Sequence, residues 1–348
     1  MTALLELQDV SKIYGGGLLR KETTVALEDN YIAIGREEST ILAVAGESGS
    51  GKTTMGMLLL GFIEPTRGRV LYKGQDLWEA PKDVWRDFRR RVQAVFQDPF
   101  EVYNPFYKVD HVLDMPIKKF NLASSRAERA EMVEEALTGV GLRPGETLGR
   151  HPHQLSGGQR QRITVARALL LNPDILIADE PVSMIDASLR ATILKSLRRL
   201  KDEMGISILY ITHDLATAYH ICENIVILYQ GSIVEAGDVA SVIMEPQHPY
   251  TQLLVRSIPW PDPERRWGEP EDVTKGQAMA RGVAEGCKFA PRCPQAMDIC
   301  KEKHPPLFRT SDTRAVACYL YDDAPAMQNS EINEVLAQTG RNFSEVTE

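Results

Sequence analysis

The segment Gly46-Glu47-Ser48-Gly49-Ser50-Gly51-Lys52-Thr53-Thr54 constrains this chain more than any other feature. It follows the pattern G-x-x-x-x-G-K-[ST], with the apolar run 40–45 before it and the helix-forming run Thr54–Leu60 after it. A strand, a glycine loop and a helix in that order form a cradle for phosphate groups. The glycines let backbone amides curl inward, and the helix N-terminus adds partial positive charge. Lys52 is placed to reach β- and γ-phosphates and the Thr53 hydroxyl to ligate Mg2+, with Gly46, Ser48, Gly49, Ser50, Gly51 and Thr54 completing the cradle. A glycine-rich turn that merely happens to contain a lysine would need neither flank. The loop is expected to bind a nucleotide.

With 348 residues the chain has room for two domains, and its 43% hydrophobic and 25% charged content is ordinary for a globular protein. No apolar run approaches the roughly 18 residues that span a bilayer. The first ten residues lack a basic segment and are interrupted by acids, so they do not read as a signal peptide. The chain is therefore expected to stay in the cytoplasm, with any membrane role coming through partners. Its net charge of −8 argues against sequence-independent nucleic-acid binding, which needs a basic face.

Taken in order, 3–9 and 23–34 read as an opening pair of antiparallel strands. Tyr14, some thirty residues before the loop, is either an aromatic able to stack on a nucleobase or an ordinary strand-end tyrosine. Residues 65–68 turn into a short strand at 69–72, and 73–76 turn again. The buried strand 92–96 ends at Gln97, which an open α/β sheet would aim at its ligand crevice. The stretch 100–109 looks irregular, and 124–142 has helical period, with Ser124 or Ser125 as cap and Gly141 as stop.

Ser156-Gly157-Gly158-Gln159 opens a second helix whose N-terminus can hold an anion. The apolar strand 174–181 then delivers Asp179, suited to Mg2+, and Glu180, on the opposite side, suited to polarising a water. The strand 206–211 leads to His213, which either donates to a γ-phosphate or belongs to a helix-capping cluster. A strand pair at 224–228 and 232–235, joined around Gly231, closes the domain near 240.

Tyr14, the 46–54 loop, Gln97, Leu155-Ser-Gly-Gly-Gln159, Asp179-Glu180, Ser183-Met-Ile-Asp186 and His213 stand in the order of an ATP-binding cassette ATPase, which the chain closely resembles over residues 3 to about 240. The resemblance implies an α/β fold: a P-loop NTPase (RecA-like) core with an antiparallel β-subdomain, a helical subdomain at about 100–160, and a small Cys-rich C-terminal extension. It implies that Tyr14 stacks on adenine, that Thr53, Gln97 and Asp179 attend the Mg2+ of ATP, that Glu180 is the general base and that His213 contacts the γ-phosphate. Ser156, Gly157, Gly158 and Gln159 would act in trans on nucleotide held by a second cassette, with Asp186 at the dimer seam. Met184-Ile185 departs from the family's usual Ala-Leu at these two positions, and both replacements are apolar.

Gln97–Phe106, His248-Pro-Tyr-Thr-Gln-Leu-Leu254, Ile258–Pro263 and the cysteine block 287–318 resemble importers of the oligopeptide, dipeptide and nickel class. The resemblance places an extension at 241–321. Cys287, Cys293, Cys300 and Cys318 are spaced C-x5-C-x6-C-x17-C. In a reducing compartment four thiols suit zinc or an iron–sulfur cluster better than disulfides, and the C-x2-C knuckles common in zinc sites are missing. The resembled class implies a 4Fe–4S cluster at these positions, with zinc or free thiols as the alternatives; its role reads as structural, since nothing nearby suggests an electron partner. Cys222 reads as a core cysteine. Residues 322–348 carry six acids against the single Arg341, with one weak helical patch at Ile332, Val335 and Leu336, and read as a solvated, disordered tail, dispensable for ATP hydrolysis.

The implied function is that of the ATPase subunit of a membrane importer on the cytoplasmic face of the inner membrane. Its implied partners are two transmembrane permease subunits, a second and different cassette chain and, indirectly, an extracytoplasmic solute-binding protein. Peptide, nickel and oligosaccharide remain open as solutes. Two other readings stand beside it: a cassette ATPase that powers a soluble, non-transport enzyme complex, and a redox-sensing regulator built on the cysteines.

Overall fold

The computed structural model describes residues 3–15, 23–35, 38–98, 102–183, 185, 187–258 and 285–337. Met184, Asp186, residues 99–101 of the segment after Gln97, 259–284 and 338–348 lie outside them. Among the described residues no helix is long and apolar enough to cross a membrane.

The organising layer is a nine-stranded sheet. Its centre holds β3 (Ile41–Ala45), β6 (Val92–Val95), β7 (Ile175–Asp179), β8 (Ser207–Thr212) and β9 (Asn224–Tyr229), mutually parallel in the spatial order β9-β3-β8-β7-β6. These strands are near-continuous apolar runs because both of their faces are covered. The period of two sorts their side chains between two cores. Ile41, Ala43, Ala45, Leu176, Ile208 and Tyr210 face a core shared with helices, while Leu42, Val44, Ile175, Ile177, Leu209 and Ile211 face the other.

The first core is closed by α3 (Val109–Phe120), α4 (Arg126–Gly139), α6 (Gly157–Leu169), α7 (Ala187–Met204) and α8 (Leu215–Ile221). Ser125 caps α4 by accepting from Glu128 N, and Gly141 follows with φ +70°, as the sequence leads one to expect. The second core is closed by α1 (Lys52–Leu59) and a four-stranded antiparallel sheet. That sheet is built from β1 (Leu5–Gly15), β2 (Thr23–Ile34), β4 (Arg67–Tyr72) and the two-residue β5 (Gln75–Asp76). The turn expected at 73–76 thus ends in a short strand.

The sequence shows neither how the extension joins the cassette nor where the tail lies. The extension expected at 241–321 is built onto the cassette sheet. β10 (Ser232–Asp238) pairs with β9 on one side and with β12 (Arg314–Val316) on the other, and β11 (Leu307–Ser311) and β13 (Ala326–Met327) extend the same sheet. Arg314 is buried against Glu235 across the β10–β12 pair, so the joint includes a desolvated ion pair as well as backbone bonds.

The tail is also not solvated as far as residue 337. α12 (Ile332–Ala337) buries Ile332, Val335 and Leu336 in the second core. Asn333 Oδ1 accepts from Ala33 N at 2.9 Å, and Asn224 Nδ2 donates to Leu336 O at 2.7 Å. Ending the chain at Tyr321 should therefore cost about 5 kcal/mol from the lost burial of three apolar side chains, or roughly 10 °C in Tm. A thermal melt unchanged by that truncation would contradict the packing.

Candidate functional site: a phosphate loop at the carboxyl edge of the sheet

Register sets the site. Ala45 pairs with Thr212, Asp179 with Ile211 and Val95 with Ala178, so the carboxyl ends of β3, β8, β7 and β6 finish level. The four segments that follow these strands carry the phosphate loop, His213, Glu180 and Gln97 to one edge, where ligands of open α/β sheets bind.

The loop between β3 and α1 depends on glycine at two places. Gly46 has φ +152°, and a Cβ there would lie 2.2 Å from Leu228 O. Gly51, the N-cap of α1, has φ +108°, and a Cβ would lie 2.5 Å from Ala26 O. Any side chain at either point collides with backbone. Lys52 is buried, and its ammonium donates to the carbonyls of Gly46 at 2.7 Å and Glu47 at 2.8 Å. Burial lowers its pKa, while the carboxylates of Glu180, Asp179 and Glu47 pull it back up. The loop therefore holds a cation at its centre, with acids on the facing strand end. Ser50 is buried, and Ser48 and Gly49 are exposed at the tip.

Burial raises the Asp179 pKa, and the neighbouring Thr53 hydroxyl opposes the shift. A hydroxyl and a half-desolvated carboxylate side by side suit a hard cation such as Mg2+. The next residue, Glu180, has φ +45°, a left-handed conformation uncommon for a side chain of this size. Its amide donates to Ile211 O at 2.8 Å, and its own carbonyl accepts from Ser183 Oγ at 3.0 Å. Those bonds hold the strained backbone, and the carboxylate is turned onto His213 Nδ1 at 2.8 Å. A carboxylate only accepts, so Nδ1 carries the proton in this pair. Of the two readings open for His213, the capping role falls to its neighbour: Asp214 caps α8 by accepting from Ala216 N and Thr217 N.

Gln97 is exposed at the bend that ends β6. Tyr14 lies on the antiparallel sheet at the end of β1, 42% exposed, with the Lys12 ammonium 5.4 Å from its ring centroid. Ser156 and Gln159 form a reciprocal capping box at the start of α6: Ser156 Oγ accepts from Gln159 N at 3.2 Å, and Gln159 Oε1 accepts from Ser156 N at 2.9 Å. Gly157, half-buried, and Gly158, buried, open that helix behind the exposed Ser156, which makes it a second anion-attracting terminus on an element of its own. Lys52, Thr53, Asp179, Glu180 and His213 thus come together, and Tyr14 and 156–159 stand on other elements.

The four cysteines Cys287, Cys293, Cys300 and Cys318 line one narrow cavity with Phe289, Met297 and Leu320. Burial raises the thiols of Cys287 and Cys293 and pushes Cys318 up to about 12. Among the described residues, however, no three His, Cys, Asp or Glu side chains are grouped so as to hold a metal ion. The four thiols share one cavity without being drawn together around a single ion. Cys222 is fully buried directly after α8, as a core cysteine should be.

One set of contacts had no signal in the sequence. Glu47, inside the phosphate loop, is bound by Tyr250 and Arg292 from the C-terminal part of the chain.

Comparison with known proteins agrees with the geometry. The ABC transporter family model matches residues 31–183, and that of the oligopeptide/dipeptide transporter C-terminal region matches 234–300. A probable peptide ABC transporter ATP-binding protein of Sinorhizobium fredii is 40% identical over 93% of this chain and 92% of its own length. The dipeptide transport ATP-binding protein of Haemophilus influenzae is 38% identical over 92% of this chain and 98% of its own. Among solved structures, a dimeric ATP-binding cassette in a post-hydrolysis state with ADP and Pi superposes with a TM-score of 0.60 at 30% identity, covering 68% of this chain and 98% of that one. The chain belongs to the ABC transporter family, as an ATP-hydrolysing cassette that carries the C-terminal region of the oligopeptide/dipeptide transporters.

Proposed function

We propose that this cassette drives uptake of di- or oligopeptides from the cytoplasmic face of the cell membrane. It would do so bound to two permease subunits and paired with a second cassette of different sequence, with a solute-binding protein acting upstream. The supporting observation is the convergence of Lys52, the Thr53–Asp179 pair and the Glu180–His213 pair at one sheet edge, in a chain that also carries the peptide-transporter C-terminal region.

In this reading the loop amides and Lys52 bind the phosphates of MgATP, and Thr53 and Asp179 hold its metal, with Gln97 alongside. Glu180 accepts a proton from the attacking water while His213 orients that carboxylate and faces the γ-phosphate. Tyr14 stacks on the adenine. Ser156, Gly157, Gly158 and Gln159 present the α6 N-terminus to the nucleotide of the partner cassette, and Asp186 lies at the seam. Little covalent work falls to the protein; its contribution is positioning and charge stabilisation. Cys287, Cys293, Cys300 and Cys318 would hold a 4Fe–4S cluster, whose chemistry when bound is that of a structural staple. The all-thiol donor set around one cavity supports it.

The test is uptake of a radiolabelled dipeptide by cells lacking this gene. Loss of uptake, restored by the wild-type chain and not by a hydrolysis-deficient one, is expected. Peptide uptake unchanged by the deletion would overturn the assignment of solute.

A further inference from the structure

We propose that Arg292 and Tyr250 are positioning residues of the nucleotide site, by which the C-terminal extension holds Glu47 and so sets the affinity of the phosphate loop. Glu47 is the second residue of that loop, and its polar groups are all engaged. Its carbonyl accepts from Lys52 Nζ at 2.8 Å and from Ser50 N at 3.1 Å. Its amide donates to the Tyr250 hydroxyl at 2.7 Å. Its carboxylate takes both arms of the Arg292 guanidinium, Nη1 to Oε2 and Nη2 to Oε1, each at 3.0 Å. Two of these holds are internal to the loop, and two come from residues more than two hundred positions away.

The external holds are rigid. Tyr250 is fully buried near the start of α10 (Pro249–Arg256), where its amide donates to His248 Nδ1 at 3.0 Å. His248 N in turn donates to Glu235 Oε2 at 3.0 Å, and Glu235 pairs with Arg314 across the sheet joint. The Tyr250 ring packs on Tyr229 at 4.5 Å and on Phe289 at 5.6 Å between centroids. The Arg292 guanidinium lies over the same two rings, 5.8 Å from Tyr229 and 5.6 Å from Phe289. A planar fork stacked on aromatics and paired bidentately loses little freedom when it binds a carboxylate. Arg292 also stands between Cys287 and Cys293, so the cysteine segment and the phosphate loop are joined through this one side chain.

The arrangement has an electrostatic purpose. The Glu47 carboxylate is close enough to Lys52 to act on its charge, and therefore close to where phosphates bind. Left unpaired, it would repel a polyphosphate. Paired with Arg292, it anchors the loop at little electrostatic cost. Glu180, Asp179 and His213 are untouched by the clamp, so its loss should act on binding and leave the chemical step alone.

The test is a mutant cycle on the full chain, read by calorimetric titration with MgATP and by ATPase kinetics of the assembled transporter. Arg292→Ala is expected to weaken MgATP binding and raise KM by about 10-fold, with kcat within about twofold of wild type. Glu47→Gln, which removes the repulsive charge together with the ion pair, is expected to weaken binding less. Adding Arg292→Ala to it should change nothing further. Tyr250→Phe, which keeps the ring and deletes the hydroxyl, should weaken binding about 3-fold on its own. An Arg292→Ala effect of full size in the Glu47→Gln background would overturn the proposal, because the arginine would then act through the aromatic stack. Wild-type affinity in Arg292→Ala would overturn it directly. Should Arg292→Ala fail to fold, wild-type affinity in both Tyr250→Phe and Glu47→Gln would do the same.

Discussion

Replacing Glu180 by Gln is expected to leave MgATP binding near wild type and to lower kcat by about 10²- to 10⁴-fold, the usual worth of a positioned general base. The substitution is nearly isosteric and leaves the backbone alone, which matters because residue 180 sits at φ +45° and is held there by the bonds to Ile211 O and Ser183 Oγ. The amide keeps an oxygen for His213 Nδ1, so the pair at 2.8 Å survives as geometry and loses only its proton acceptor. Binding depends on Lys52, Thr53 and the loop amides, none of which touches the altered atom. The variant should therefore accumulate in the ATP-bound form. Steady-state ATPase assays and nucleotide titration separate the two effects. Retention of more than half of wild-type turnover would remove Glu180 from the role of base.

Lys52→Ala should do the opposite and weaken MgATP binding itself by about 10- to 100-fold, the cost of losing one charge-assisted contact to phosphate. Lys52 is the cation at the centre of the loop, its pKa lowered by burial and partly restored by Glu180, Asp179 and Glu47. Without it those three acids face the incoming phosphates uncompensated. The carbonyls of Gly46 and Glu47 also lose their donor, so a melting curve must accompany the titration to keep loop stability apart from ligand affinity. Nucleotide affinity equal to wild type in a well-folded variant would contradict the placement of this side chain.

How much was legible in the sequence depended on how local the cause was. The strands β3, β7 and β8 announce themselves because strands buried on both faces are apolar throughout, and the residues at their carboxyl ends then fall at the site by topology alone. The capping box at Ser156 and Gln159 is equally local. The helix α2 (Lys82–Arg91) is harder to read: it is crowded with charge, and its apolar stripe is only Val84, Trp85 and Phe88, of which Phe88 alone is fully buried.

The tail misleads for a related reason. The weak helical patch Ile332, Val335 and Leu336, at i, i+3 and i+4, is visible in the sequence, yet a single turn in acidic surroundings does not reveal that it is buried. The extension's strands join the cassette sheet at β10, where a boundary was expected. Strand pairing across some eighty residues, such as Glu235 with Val316, leaves no mark in either segment. The clamp on Glu47 is the extreme case, since Arg292 lies 245 residues away and only the fold brings them together.

The central claim, that this cassette works as part of a membrane importer, is tested most directly by purifying the tagged chain in mild detergent from its native membranes without oxygen. Mass spectrometry then identifies what accompanies it. Two multi-span proteins and a second cassette are predicted, with about four iron atoms per chain if the cysteines hold their cluster. Recovery solely from the soluble fraction, in company with metabolic enzymes and no multi-span protein, would contradict the account and favour a cassette that powers a soluble complex.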